Sequence, residues 1–83
     1  MAEVVLTAEA ERQLEKLPMT IVDRMTRLFG RLERWPNVSG AKPLRGNLSA
    51  RYRMRTGDYR MQFRLEGERV VVEKIGHRDK FYD

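Results

Sequence analysis

The sequence predicts an α+β domain with the element order β-α-α-β-β-β, and three observations carry that prediction. Apolar residues recur at helical spacing between residues 8 and 35, the period changes to two after residue 50, and short turn sequences cut the second half into three strands. With 83 residues the chain is long enough for one modest core, so residues 1–83 are read as a single domain.

Each element has its own signal. Residues 3–6, EVVL, form a short β run that ends at Thr7, a fair N-cap with Glu9 and Glu11 in the turn behind it. A first helix over 8–17 follows, its Ala10, Leu14 and Leu17 sharing one face, and Pro18 either stops it or starts the next. In the second helix Ile21, Met25, Leu28, Leu32 and Trp35 make a continuous apolar stripe. Asp23, Arg24, Arg27, Arg31 and Arg34 lie opposite it, and Pro36 ends it. The brief LPMT joint makes the pair an antiparallel helical hairpin.

Residues 37–49 are dense in Gly, Ser, Asn and Pro and read as a loop. Beyond it Arg51, Arg53 and Arg55 alternate with Tyr52 and Met54, and TGD turns the chain. In the returning strand Tyr59, Met61, Phe63 and Leu65 point one way, and Arg60, Gln62 and Arg64 the other. RVVVEKIG supplies a third strand, too uniformly apolar to reveal its inner side and therefore expected to be central. The tail GHRDKFYD carries His77, Arg78, Lys80, Phe81 and Tyr82 away from it. The sheet is expected to be mainly antiparallel, with the helical hairpin packed on its apolar face and the cations on the open one.

Composition narrows the function. At 41% hydrophobic and 35% charged residues the chain reads as globular and not as disordered. Without cysteine and with a single histidine it offers no disulfide framework and no zinc centre, so neither metal nor cofactor is expected. No apolar run approaches the roughly 20 residues a spanning helix needs, so no membrane role is expected. The N-terminus lacks the pattern of a signal peptide, which makes the cytoplasm the expected location.

The charge is unevenly placed. Residues 1–41 hold six Lys/Arg and six acids, so the net +5 lies entirely in residues 42–83. Between 42 and 64, seven cations (Lys42, Arg45, Arg51, Arg53, Arg55, Arg60 and Arg64) face one acid, Asp58. Alternating charge is ordinary on the wet side of a strand. Here arginine nearly excludes lysine, partner acids are scarce, and adjacent strands share the pattern, which points to an anionic polymer held by guanidinium forks. At the end of the third strand His77, Arg78 and Tyr82 leave together: an imidazole for proton transfer, a guanidinium, and a ring able to stack on a base.

The stretch KPLRGNLSARYRMRTGDYRM followed by IGHRDKFY closely resembles the RelE branch of the RelE/ParE superfamily of bacterial type II toxins. Members carry KPLRG, a YR/K-x-R/K strand, GDYR and a terminal GHR-x-x-x-Y, and the likeness spans almost the whole chain. It implies the RelE-like fold and a ribosome-dependent endoribonuclease that cuts mRNA in the A site without metal and blocks translation. It also implies a cognate antitoxin, expected as an acidic or amphipathic segment wrapping the domain. The implied catalytic set is Arg53, Arg55, Arg60, Arg78 and Tyr82, with His77 added here as acid or base; Lys42, Arg45, Arg51 and Arg64 extend the RNA-binding surface. RelE itself has lysines where Arg53 and Arg55 stand, and arginine is a poor general base, so these two are expected to clamp phosphate. Two other readings keep the fold: a ParE-like inhibitor of DNA gyrase, and a RelE-fold protein that binds without cutting.

Overall fold

The computed structural model describes residues 1–48 and 50–81. Its elements are β1 (Glu3–Leu6), α1 (Ala8–Glu15), α2 (Met19–Leu32), β2 (Lys42–Pro43), a 3-10 turn (Gly46–Leu48), β3 (Arg51–Thr56), β4 (Tyr59–Glu66), β5 (Arg69–His77) and α3 (Arg78–Phe81). One five-stranded sheet runs in the order β1-β5-β4-β3-β2, with β1 parallel to β5 and every other pair antiparallel. The predicted α+β order therefore holds. The segment read as a loop adds β2 and the 3-10 turn, and the tail adds α3.

The caps behave as their chemistry requires. Thr7 is extended and its Oγ1 accepts a hydrogen bond from the Ala10 N–H at 3.1 Å, satisfying one of the open donors of α1. Pro18 does not end α1. It stands at the N-cap of α2 with φ −57° and ψ 149°, and its carbonyl accepts from the N–H groups of Ile21 and Val22.

The α2 stripe is buried as predicted: Ile21, Met25, Leu28 and Leu32, together with Ala10 of α1, meet Met54, Met61, Phe63, Val70, Val72 and Ile75 of the sheet. α2 ends at Leu32, short of Pro36, so Trp35 stands past the helix, half-buried, and carries the stripe into an aromatic cluster, edge-on to Tyr52 at 4.9 Å and to Phe63 at 5.4 Å. Tyr52 and Phe63, directly opposite one another on β3 and β4, are themselves stacked at 5.4 Å. Leu65 departs from its neighbours. It remains 37% exposed because it stands at the end of the sheet beside the Gly67 turn.

β5 resolves what its uniform sequence hid. Gln62 pairs with Lys74, but the next residue, Phe63, pairs with Val72, leaving Glu73 as the extra residue of a β-bulge. Val70, Val72 and Ile75 therefore go into the core at spacings of two and three, while Glu73 is turned to the open face. Val71, opposite Arg64 on that open face, is buried too, which accounts for the apolar run.

The free edge of β5 beyond β1 is finished by α1 and not by a strand. The Thr7 N–H donates to the Val72 carbonyl at 3.0 Å, and past the bulge the Ile75 N–H donates to the Gln13 Oε1 at 2.7 Å. Replacing Gln13 by Leu strands that buried donor; the expected loss is about 1–3 kcal/mol in urea unfolding, together with faster amide exchange at Ile75.

Candidate nucleic-acid interface

The pleat and the β3–β4 register place the arginines as cross-strand rungs on the face away from α2. Arg51 stands opposite Arg64, Arg53 opposite Gln62 and Arg55 opposite Arg60, while Lys42 on β2 pairs in register with Arg53. Like charges directly opposed destabilise a sheet, so each arginine rung requires compensation or a function. The two ends of the ladder meet that requirement differently.

At the hairpin end Lys42, Arg53, Arg55 and Arg60 line a hollow of about 120 Å³ with Gly40, and no acid lines it among the described residues. Arg60 is fixed by donating from Nη1 to the carbonyls of Gly57 at 3.0 Å and Tyr59 at 3.2 Å. Both acceptors are neutral, so its charge stays available. Arg55 is exposed and meets no carboxylate among the described residues. The loop bearing Gly40 is held by Arg31 of α2, which donates to the Ser39 carbonyl at 2.6 Å. Gly40 itself has φ +89°, a backbone state that favours glycine.

At the bulge end a carboxylate intervenes. Glu73 Oε1 accepts from Arg51 Nε at 2.6 Å and from Gln62 Nε2 at 2.9 Å, and its Oε2 accepts from Arg64 Nη1 at 3.0 Å. Arg64 also reaches Glu66 at 3.3 Å. Burial alone would raise the Glu73 pKa, but hydrogen bonds from Gln62, Arg51 and Arg64 and the charge of Arg51 outweigh it and hold the carboxyl below its ordinary range. The expectation of scarce partner acids thus holds around Arg55 and Arg60 and fails around Arg51 and Arg64, which are paired.

Arg78 begins α3 beside the β3–β4 turn. Its N–H donates to the Asp58 carbonyl at 2.7 Å, and its Nε lies 3.8 Å from carboxylates of both Asp58 and Asp79. These groups are more than half exposed, so the pairing contributes little and leaves the guanidinium able to turn. Because Arg60 holds the adjacent Gly57 carbonyl, Arg60 and Arg78 grip one turn. Arg45 follows β2 and is exposed before Gly46. Tyr82 lies outside the described residues.

His77 is not brought to the arginines. It pairs in register with Tyr59, on the helix-facing side that also carries Met61 and Ile75, and its ring stands edge-on to Tyr59 at 5.2 Å. The Asp79 N–H donates to its Nδ1 at 3.1 Å, which in the neutral ring leaves the hydrogen on Nε2. The alternation of β5 was unreadable from its apolar run, and so was the side on which His77 emerges. Glu73 escaped the sequence reading for the same reason; a lone acid inside RVVVEKIG was its one visible sign.

With this geometry established, the relatives are informative. A family model described as the ParE toxin of type II toxin-antitoxin systems matches residues 4–82. The chain belongs to this toxin family. Within the RelE/ParE superfamily its relatives are RelE-like. The toxin is 38% identical to toxin RelG of Mycobacterium tuberculosis over 79 residues, covering 92% of this chain and 90% of the relative. It is 35% identical to toxin RelE of the same organism over 82 residues, covering 95% and 84%. The M. tuberculosis toxin-antitoxin complex RelBE2 superimposes with a TM-score of 0.81 at 36% identity, covering 93% of this chain and 91% of that one.

The Glu73 cluster makes a pH prediction for the toxin. A carboxyl whose pKa falls on folding stabilises the native state fully above its unfolded value, near 4.5, and loses that contribution as pH drops through the folded value. Glu73→Gln is expected to cost about 1–3 kcal/mol at pH 7. In denaturant titrations the gap between the two proteins should close below pH 4.5.

Proposed function

We propose that this toxin is a ribosome-dependent endoribonuclease that cuts mRNA in the A site and so stops translation in the cytoplasm. The observation that supports the reading best is the Arg55/Arg60 rung, where two opposed guanidiniums stand in a four-cation hollow with no acid among the described lining residues. A fold gains nothing from such a rung unless it meets an anion, and a phosphate diester supplies paired oxygens for the forks. In this reading Arg53, Arg55 and Arg60 hold the scissile phosphate, Lys42 and Arg45 the adjoining backbone, Arg78 the leaving side, and Tyr82 orients a base.

The reaction needs no metal. The substrate's 2′-oxygen attacks the neighbouring phosphorus, the new P–O2′ bond replaces the P–O5′ bond, and the products are a 2′,3′-cyclic phosphate and a 5′-hydroxyl. The guanidiniums remain protonated throughout and stabilise the extra charge of the pentacoordinate state. Protons leave the 2′-oxygen and reach the 5′-oxygen through water or ribosomal groups, because His77 faces the other side of the sheet. The ribosome supplies the in-line alignment that this small site does not enforce by itself. A cognate antitoxin partner follows from the likeness to the RelBE2 complex, its acidic segment matched to the basic face.

The alternative, ParE-like inhibition of DNA gyrase, has only the ParE name of the matching family model in its favour. Purified toxin added to translating ribosomes separates the readings: codon-positioned cuts support the nuclease, whereas intact mRNA with blocked DNA supercoiling supports gyrase inhibition. Naked mRNA should be cut far more slowly than ribosome-bound mRNA.

Two variants test the assignments. Arg55→Gln should leave the fold unchanged or stabilise it by about 0.2–1 kcal/mol, since a like-charge rung is relieved, yet lower ribosomal cleavage by about 10²-fold. His77→Ala should leave the pH dependence of cleavage between pH 6 and 9 unchanged, and a lost ionisation in that profile would return the imidazole to the chemistry.

A further inference from the structure

The open face carries a second hollow. It is larger, about 490 Å³, and lies between the start of α1 and the 3-10 turn, over the bulge of β5. Its lining includes Glu9, Asn47, Arg51, Gln62, Glu73 and Lys74: two acids, two cations and two amides. Acids and cations are mixed in it, whereas the hairpin-end hollow holds four cations and no acid among the described residues. A phosphate is drawn to the second kind of environment. A hollow of mixed charge, rich in both donors and acceptors, suits an uncharged polar ring instead.

The hydrogen bonding inside the hollow is directional. Glu73 takes Arg51 through Nε, so the two terminal amino groups of Arg51 carry no described protein partner and keep a fixed fork. Gln62 spends its amide nitrogen on the same carboxylate and retains its Oε1 as an acceptor. Lys74 is turned aside: its ammonium donates to the Phe81 carbonyl and sits 4.7 Å from the Phe81 ring centroid. What remains pointing outward is a buttressed pair of arginine donors beside an amide acceptor. Paired guanidinium donors match the adjacent O6 and N7 acceptors of guanine, the commonest specific arginine contact with a base.

We propose that this hollow is a nucleobase pocket, in which Arg51 reads the O6/N7 edge of a guanine near the linkage held at the hairpin end, and Glu73 is the positioning residue that sets Arg51. The inference rests on reading the arginine face as an RNA surface. Arg51 and Arg55 are four strand residues apart, about 13 Å at the usual rise, a separation that a short single-stranded segment spans. The bulge is what makes the division possible, because it turns a carboxylate into a ladder that otherwise alternates arginines.

The test uses short 2′-O-methyl oligoribonucleotides, which this chemistry does not cut. They carry guanine, adenine or 7-deazaguanine at one position, and their binding to the purified toxin is followed by fluorescence anisotropy at low salt. The expected result is a preference for guanine of about 10-fold or more over adenine and 7-deazaguanine, reduced to near unity in Arg51→Lys and in Glu73→Gln. Arg51→Lys keeps the charge but lacks the fork, so it answers the question even if Glu73→Gln unfolds. Equal binding of the three oligomers by the native toxin, or a preference that survives Arg51→Lys, overturns the pocket. Ribosomal cleavage without base preference would sink the pocket and leave the nuclease standing. Base preference without cleavage on ribosomes would do the reverse.

Discussion

The carboxylate of Glu73 is the constraint on which the rest of the open face depends. Placed by a bulge and buttressed by three donors, it lets Arg51 and Arg64 stand opposite each other without net repulsion. Without it the whole ladder would be uniformly cationic and indifferent to where a polyanion sat. With it, positive potential is concentrated toward Arg55 and Arg60, and one end of the sheet becomes chemically different from the other. The bulge is in turn fixed at the edge of β5 by Gln13, so a helix at the margin of the sheet governs charge on its open face.

Stability and chemistry are divided across the thickness of the sheet. Among the described residues no polar or charged side chain is buried, and the core is built from the α2 stripe, the inner residues of β3, β4 and β5, and the Trp35–Tyr52–Phe63 cluster. The arginines proposed to meet RNA instead project from the same strands at alternate positions. Because adjacent residues serve opposite faces, a change at Arg53 or Arg55 leaves Met54 in place, and the toxin can vary its basic face without repacking its interior.

Much of this was legible from periodicity. The two helices, the hairpin of β3 and β4, and the segregation of arginine from Met54, Met61 and Phe63 follow from spacings of 3.6 and 2 that the structure keeps. What escaped reading came from places where periodicity carries no information. RVVVEKIG has no visible alternation because both faces of β5 are covered near Val71 and because the bulge breaks parity at Glu73, and the sides of Glu73 and His77 were lost with it. β2 is two residues long, too short for any pattern, and its existence depends on pairing with β3.

That short strand has a consequence of its own. Sheet edges invite further chains to pair, and here the last strand on one side consists of Lys42 and Pro43. Proline has no backbone hydrogen to donate, and lysine disfavours a dry approach, so the margin of the sheet is a poor template for recruiting another copy. Two residues thus close that margin of a basic protein to further strands.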